Sequence, residues 1–362
     1  MHALVIGISS YAKPRVGRPQ RFKSLTGTAS GAGRFASYLT EDFHHPDQVP
    51  LRTVRLLLSP VPGQQPYLPP EATWQEAGSD AVREAVERWM EDCDADDGNV
   101  ALLYVAGHGV LTTGGAHWLF LSAAGNTRDP YASAVNLAAV RDQMQFVRAK
   151  TNVLIWDLCA TRGDEVPNYN FSAGISGGTW SGEQGGRVDV VTVAARAGTN
   201  NYQLDASDGT LLSWALVGRK QAEAADYLLH TAAELSSGGW VVTARQLDTK
   251  LLPTMKGIFD AHQEGEEPVV LPKDSLLPIT RPLPPPEFEL RLAADPARPS
   301  VHVLLTAEDG RVYEATTGLS DERLYVPAGA YAVLAEAGSA TREYDLSVGS
   351  DRRISAWDGK TR

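Results

Sequence analysis

From residue 3 to about 195 the chain alternates two hydrophobic patterns. Short, almost continuously apolar runs, ALVIGI (3–8), TVRLLL (53–58), NVALLYVA (99–106), TNVLIWD (151–157) and VDVVTVAA (188–195), suit strands buried on both faces of a parallel sheet. Between them, residues 25–39, 79–90 and 137–147 carry apolar positions three and four apart, the spacing of amphipathic helices, with Ser79 or Asp80 as N-cap of the second. Strand and helix in alternation predict an α/β domain with a mostly parallel sheet flanked by helices. Helical patterns return at 209–220, 224–235 and 243–262, and Pro253 is expected to break or kink the last.

The pattern changes at 276–288, where five prolines in LLPITRPLPPPEF predict a stiff, extended connector. Beyond it, FELRLAA, VHVLLTA, VYEATTG, RLYVPAGAYAVLAEAG and REYDLSV alternate apolar and polar positions between turn signals such as Asp309-Gly310 and Gly338, the signature of a small all-β sandwich. The expected division is an α/β domain over 1–275, a linker over 276–286 and a β domain over 287–362. Two segments have no apolar period: the basic 10–24, and the Gly- and Ser-rich 163–187. Both leave the carboxyl ends of strands, where open α/β sheets place their sites.

Charge narrows the choice of partner. Lys and Arg number 33 against 44 Asp and Glu, a net −11, which argues against nucleic acid or an anionic membrane as the main partner. No run approaches the roughly 18 apolar residues of a membrane span, and MHALVIGISSY lacks a basic region before its apolar stretch, so a cytoplasmic protein is expected. Two cysteines, Cys93 and Cys159, cannot build a disulfide framework, which leaves each thiol to be judged for its chemistry.

Cys159, in VLIWDLCATRG, and His108, in LLYVAGHGV, each follow a predicted buried strand. If those strands are neighbours, the two residues meet at one sheet edge, where an imidazole deprotonates the thiol and later protonates a leaving amine. Gly107 and Gly109 allow close backbone approach, and the amides of Gly109 and Cys159 are candidate oxyanion donors. The competing reading of Cys159 is a buried small hydrophobe. Cys93 reads as structural, and His117, His230, His262 and His302 as satisfied or solvated side chains. His44-His45 has no metal-ligand spacing, so no metal is expected. GTASGAG does not match a dinucleotide loop, because it opens some 18 residues after the strand and its glycines miss the required spacing.

ALVIGISSY, LTGTASGAGRFASYL, the block ending ALLYVAGHG, and VLIWDLCATRG resemble successive blocks of caspase-like cysteine peptidases, specifically bacterial caspase homologues and metacaspases. The resemblance covers about residues 1–272, and the His-to-Cys spacing matches the roughly 50 residues of caspases. It implies a caspase-type fold and peptide-bond hydrolysis through a thioester, with Cys159 as nucleophile, His108 as base and acid, and no obligatory third member. It also implies that Asp157 lines a pocket for Arg or Lys, with Ala194 and Ala195 as pocket walls. Metacaspases carry an Asn-Asp pair where this chain has Ser30-Gly31, so the pocket's second acid is missing unless Asp164, Asp205 or Asp208 supplies it. Protein substrates with basic residues are therefore expected. Segment 163–187, flanked by Arg162 and Arg187, stands where caspases are cut on activation. This suggests a latent enzyme processed by itself or by an upstream protease, with a flexible surface loop as the plain alternative. No cofactor is expected: some metacaspases need calcium, but EDCDADDG (91–98) lacks an EF-hand pattern and reads as a solvated turn. Bacterial relatives often serve stress or antiviral defence. The rival function is a catalytically silent scaffold that binds partners through its β domain.

Overall fold

The computed structural model describes residues 1–12, 22–43, 50–68, 72–112, 116–126, 130–162, 174–177, 188–193, 209–218, 228–236, 239–258, 269–271, 278–280, 287–295, 297–298, 300–308 and 310–360. The chain divides into two compact units, Met1–Leu229 with Thr243–Thr280, and His230–Val242 with Arg281–Arg362. The elements are β1 (His2–Ile8), α1 (Thr28–Glu41), β2 (Thr53–Ser59), β3 (Gln75–Glu76), α2 (Ser79–Asp94), β4 (Val100–Leu111), β5 (His117–Phe120), β6 (Ala134–Asn136), α3 (Leu137–Gln143), β7 (Thr151–Arg162), β8 (Val188–Val193), α4 (Leu211–Val217), α5 (Leu228–Thr231), β9 (Glu234–Ser236), β10 (Gly239–Thr243), α6 (Ala244–Ile258), β11 (Val269–Leu271) and β12 (Pro278–Thr280). They are followed by β13 (Glu287–Ala293), β14 (Val301–Ala307), β15 (Val312–Thr317), β16 (Glu322–Pro327), β17 (Gly329–Ala337), β18 (Ala340–Val348) and β19 (Arg352–Ser355).

The first unit is an α/β sheet of order β11-β8-β7-β4-β1-β2-β3, with β5 added to β4 and β6 to β5. Strands β8, β7, β4, β1, β2 and β3 run parallel, and β11 closes one edge antiparallel. The near-continuous apolar runs are explained by burial: every residue of β1 is buried, and Leu102 through Ala106 of β4 are at most 2% exposed. Helix α2 places Val82, Val86, Trp89, Met90 and Cys93 on its buried face, as its spacing predicts, and the Trp89 indole donates to the His2 carbonyl at 3.1 Å. Cys93 is fully buried in this core.

The second unit contains the β9–β10 hairpin and two facing sheets, β16-β13-β19 and β15-β14-β17-β18. Leu290, Leu292, Val303, Leu305, Val333, Val348 and Ile354 fill the core of the two facing sheets.

Several expected boundaries moved. Strands β4 and β7 each continue about five residues beyond their apolar runs, so His108 and Cys159 lie inside strands rather than past their ends. The extension persists because β5 and β7 give residues 109–111 ladder partners on both sides. Helix α6 runs through Pro253 instead of stopping there. Burial of Leu247, Leu251 and Met255 on its inner face offsets a proline penalty of about 3 kcal/mol. Part of the region read as helix over 224–235, and the segment after it, forms the β9–β10 hairpin, and Pro278–Thr280 of the proline tract is a short strand.

Replacing Trp89 by Ala should lower the unfolding free energy of the first unit by about 3–5 kcal/mol, because it opens a cavity and removes the hydrogen bond to the His2 carbonyl. Leu319→Ala, at a position 95% exposed, should stay within about 0.5 kcal/mol in the same denaturation series.

Candidate active site

Strands β4 and β7 pair over twelve consecutive positions, and that register sets His108 directly beside Cys159 and Ala106 beside Asp157. In-register residues of parallel neighbours share a face of the sheet, with backbones about 5 Å apart. The second flank of β4 is discontinuous. Strand β1 pairs with it up to Ala106, and β5 begins to pair at Gly109. The His108 amide therefore faces a gap, and a buried amide without a partner costs about 1–3 kcal/mol. The Tyr11 hydroxyl fills the gap, accepting from the His108 amide at 2.7 Å. Gly107 makes room for it, since a Cβ there would meet Tyr11 Oη at 3.0 Å and Leu119 Cδ1 at 2.9 Å.

The His108 ring is fixed as closely as its backbone. The Tyr11 and Phe22 rings pack against it at centroid distances of 4.9 and 5.6 Å. Its Nε2 lies 2.8 Å from the Lys23 carbonyl. A carbonyl only accepts, so Nε2 carries the proton and the neutral ring presents the Nδ1 lone pair. Burial pushes the imidazole below its ordinary 6.5, and the Lys23 carbonyl opposes part of that shift. Phe22 and Lys23 belong to the basic 10–24 segment, whose residues 13–21 lie outside the described ones. What sequence reasoning missed is that its two ends grip the histidine.

Asp157 is fully buried and accepts hydrogen bonds from Tyr104 Oη at 2.6 Å and from Thr210 Oγ1. Burial first, and the adjacent carboxylate second, push the Tyr104 phenol well above its ordinary 10, so it stays a donor. Thr210 is also the N-cap of α4, in a reciprocal capping box with Ser213. Helix α1 comes unusually close at this point. A Cβ on Gly31 would lie 2.8 Å from Ser213 Oγ and 3.3 Å from the Thr210 amide, and one on Gly27 would strike the Gly209 carbonyl. The Ser30-Gly31 departure thus has a physical meaning: the space a side chain at 31 would enter holds the cap of α4. Ser30 itself is buried in α1. No pattern in the sequence singled out Thr210, although its Thr-x-x-Ser spacing is that of a helix start.

Gly109 sits within the sheet, paired to Leu119 of β5 and Ala160 of β7. Arg162 ends β7, while Arg187, Ala194, Ala195, Asp164, Asp205 and Asp208 lie outside the described residues. Within 163–187 only 174–177 is described, and it is anchored. Ile175 is fully buried, its amide donates to the Ala134 carbonyl, and its carbonyl accepts from the Asn136 amide, both at 2.9 Å. A lone isoleucine among glycines was the only signal. Of the other histidines, His117 packs on Trp156 at 4.9 Å, and burial, with Arg141 nearby, pushes it down to about 4. His302 is paired with Glu314 and Glu336. The acidic stretch 91–98, expected as a solvated turn, is helix as far as Asp94, the end of α2, and is occupied by the fold: Asp92 pairs with Arg55, Asp94 accepts the Arg148 amide, and Asp97 binds Lys150. Among the described residues no group of three or more His, Cys, Asp or Glu could hold a metal ion, and no helix is long and apolar enough to cross a membrane.

A family model described as a caspase domain matches residues 1–248. Among solved structures, the chain is similar to caspase-1 from Spodoptera frugiperda at 11% identity and a TM-score of 0.37, over 74% of this chain and 87% of that one. No curated protein matches.

Tyr11→Phe keeps the ring but removes the acceptor, so it should destabilise the unit by about 1–2 kcal/mol and accelerate exchange of the His108 amide. Unchanged exchange would refute the role given to the hydroxyl. His108 should titrate below 6.5 by NMR. Its folded pKa is depressed, so its contribution to stability is full above about pH 6.5 and is lost as pH falls through the folded value.

Proposed function

The chain belongs to the caspase-domain family of cysteine peptidases, and we propose that it is an endopeptidase whose nucleophile is Cys159 and whose base is His108. The supporting observation is the in-register apposition of the two residues, with the Lys23 carbonyl fixing the imidazole tautomer. His108 Nδ1 takes the thiol proton, and the thiolate adds to the scissile carbonyl. The tetrahedral oxyanion is held by a backbone amide, with that of Cys159 as the proposed donor, since Gly109, the other sequence candidate, is laddered to Leu119 on one flank and Ala160 on the other. Collapse expels the amine, which receives the proton from the imidazolium and leaves a thioester. Water, deprotonated by the same ring, then hydrolyses the thioester to a carboxylate and restores the thiol. A ring whose pKa is lowered by burial is neutral at pH 7 and ready for the first transfer.

The proposed specificity is for Arg or Lys before the scissile bond. Asp157 is a fully buried carboxylate on the same strand two residues before Cys159, and a second negative charge brought beside it would be repelled in this desolvated setting. The acidic chain as a whole favours basic substrates. Processing of the 163–187 segment, after Arg162 or Arg187 and by the enzyme itself or an upstream protease, is the proposed activation step.

A positional peptide library should show cleavage after Arg or Lys that disappears in Cys159→Ala and falls about 10²–10⁴-fold in His108→Ala. Preference for Asp would overturn the specificity. Asp157→Asn should lower the ratio of kcat/KM for arginine over citrulline substrates, a ratio that partial misfolding leaves unchanged. Mass analysis of the purified chain tests processing: no Cys159-dependent cut within 163–187 rules out self-cleavage.

A further inference from the structure

The outer face of the sheet β15-β14-β17-β18, turned away from the sandwich core, is arranged in rows by its register. The central row reads Glu314, Leu304, Leu334, Glu343 across the four strands. The row on one side reads Val312, Thr306, Ala332, Asp345, and the row on the other Thr316, His302, Glu336, Thr341. An open groove of about 460 Å³ runs over Thr306, Ala332 and Leu334 beside Glu343 and Asp345. Val312 is 58% exposed, and Leu304 and Leu334 are only half-buried. Among the described residues these rows hold four carboxylates and no lysine or arginine, and His302 sits between Glu314 and Glu336.

We propose that this face docks a basic amphipathic helix of a partner protein. The middle of its floor, Leu304, Leu334 and Ala332, is apolar, and both edge strands carry carboxylates, so the matching surface is an apolar stripe bordered on both sides by cations. The dimensions fit. Glu314 and Glu343 stand three strand spacings apart, roughly 14 Å, and a helix with its side chains measures about 10–12 Å across. Leucines at i, i+3, i+4 and i+7 would lie over Leu304, Leu334 and Ala332, and Lys or Arg on the flanks would reach Glu314 on one margin and Glu343 and Asp345 on the other. Acidic residues on an edge strand also discourage strand pairing. That role explains Glu343 and Asp345, but it does not explain apolar side chains left open between two acidic margins. Charge on the margins steers association, and the floor supplies the burial that holds it.

The probe is a fluorescein-labelled 15-residue helical peptide with that leucine stripe and lysine flanks, titrated into the full-length chain carrying Cys159→Ala, so that the proposed endopeptidase does not cut it, with the substitutions below added in that background. The expected result is saturable binding that weakens at least tenfold in Glu314→Gln/Glu343→Gln/Asp345→Asn, and again in Leu334→Ser. Peptide cleavage by the chain with Cys159 intact should not change when it carries either set of substitutions. A peptide with glutamate flanks should fail to bind the Cys159→Ala chain. Equal binding to that chain and to the variants would place the peptide elsewhere on an acidic surface and overturn the proposal. So would sedimentation showing that these substitutions dissolve a dimer of the chain, because the face would then belong to a second copy.

Discussion

Parallel strands are held by evenly spaced, slanted hydrogen bonds, and a slip of one residue turns every side chain to the opposite face. The pairing of β4 with β7 is the constraint on which the rest of the first unit depends. It is locked by burial on both sides, with Tyr104 beside Ile155 and Val105 beside Trp156, and at the far end of the same ladder it brings His108 level with Cys159. Beside that ladder the sheet is interrupted, because β1 stops at Ala106 and β5 starts at Gly109, leaving two positions without a strand partner on that flank. A local defect in pairing therefore lies against the histidine; a tyrosine hydroxyl fills it, and a phenylalanine and a backbone carbonyl from the same segment hold the ring.

The second polar cluster solves a different problem. A buried carboxylate is costly unless donors meet it. Asp157 is met by a phenol whose own ionisation is suppressed and by a threonine that at the same time starts α4. The phenol comes from the adjoining strand β4, and the threonine sits where α1 and the start of α4 approach through glycines at 27, 31 and 209, the last at φ +91°. Strands β4 and β7 and the start of the fourth helix are thus joined at one carboxylate, with the first helix packed against the cap that supplies Thr210. A substitution there alters charge and packing together, which is why ratios of activities separate the two effects and absolute rates do not.

Much of this was legible in the sequence. The apolar runs marked the five central strands, because pattern and burial obey the same periodicity; that the strands of His108 and Cys159 are neighbours was a condition of the reading, which the β4–β7 pairing meets. What failed to show depends on long-range partners. The extension of β4 to Leu111 requires β5 and β7, which no local propensity records. Tyr11 and Lys23 act through a hydroxyl and a carbonyl reaching 97 and 85 residues along the chain, and a carbonyl has no residue signature at all. Helix α6 ignores Pro253 because its inner face is buried, a tertiary effect that overrides the single-residue rule.

Ile175 has a consequence for the integrity of the molecule. It fastens the middle of the 163–187 segment between Ala134 and Asn136, and β8, just beyond the segment, is laddered to β7 from Thr151↔Val188 to Trp156↔Val193. A backbone nick on either side of Ile175 would break covalent continuity but leave the central sheet intact. The products would be two polypeptides sharing one hydrophobic core, inseparable without unfolding, with the stretch bearing Cys159 on one and β8 on the other. Strand pairing would then do the work of the lost peptide bond.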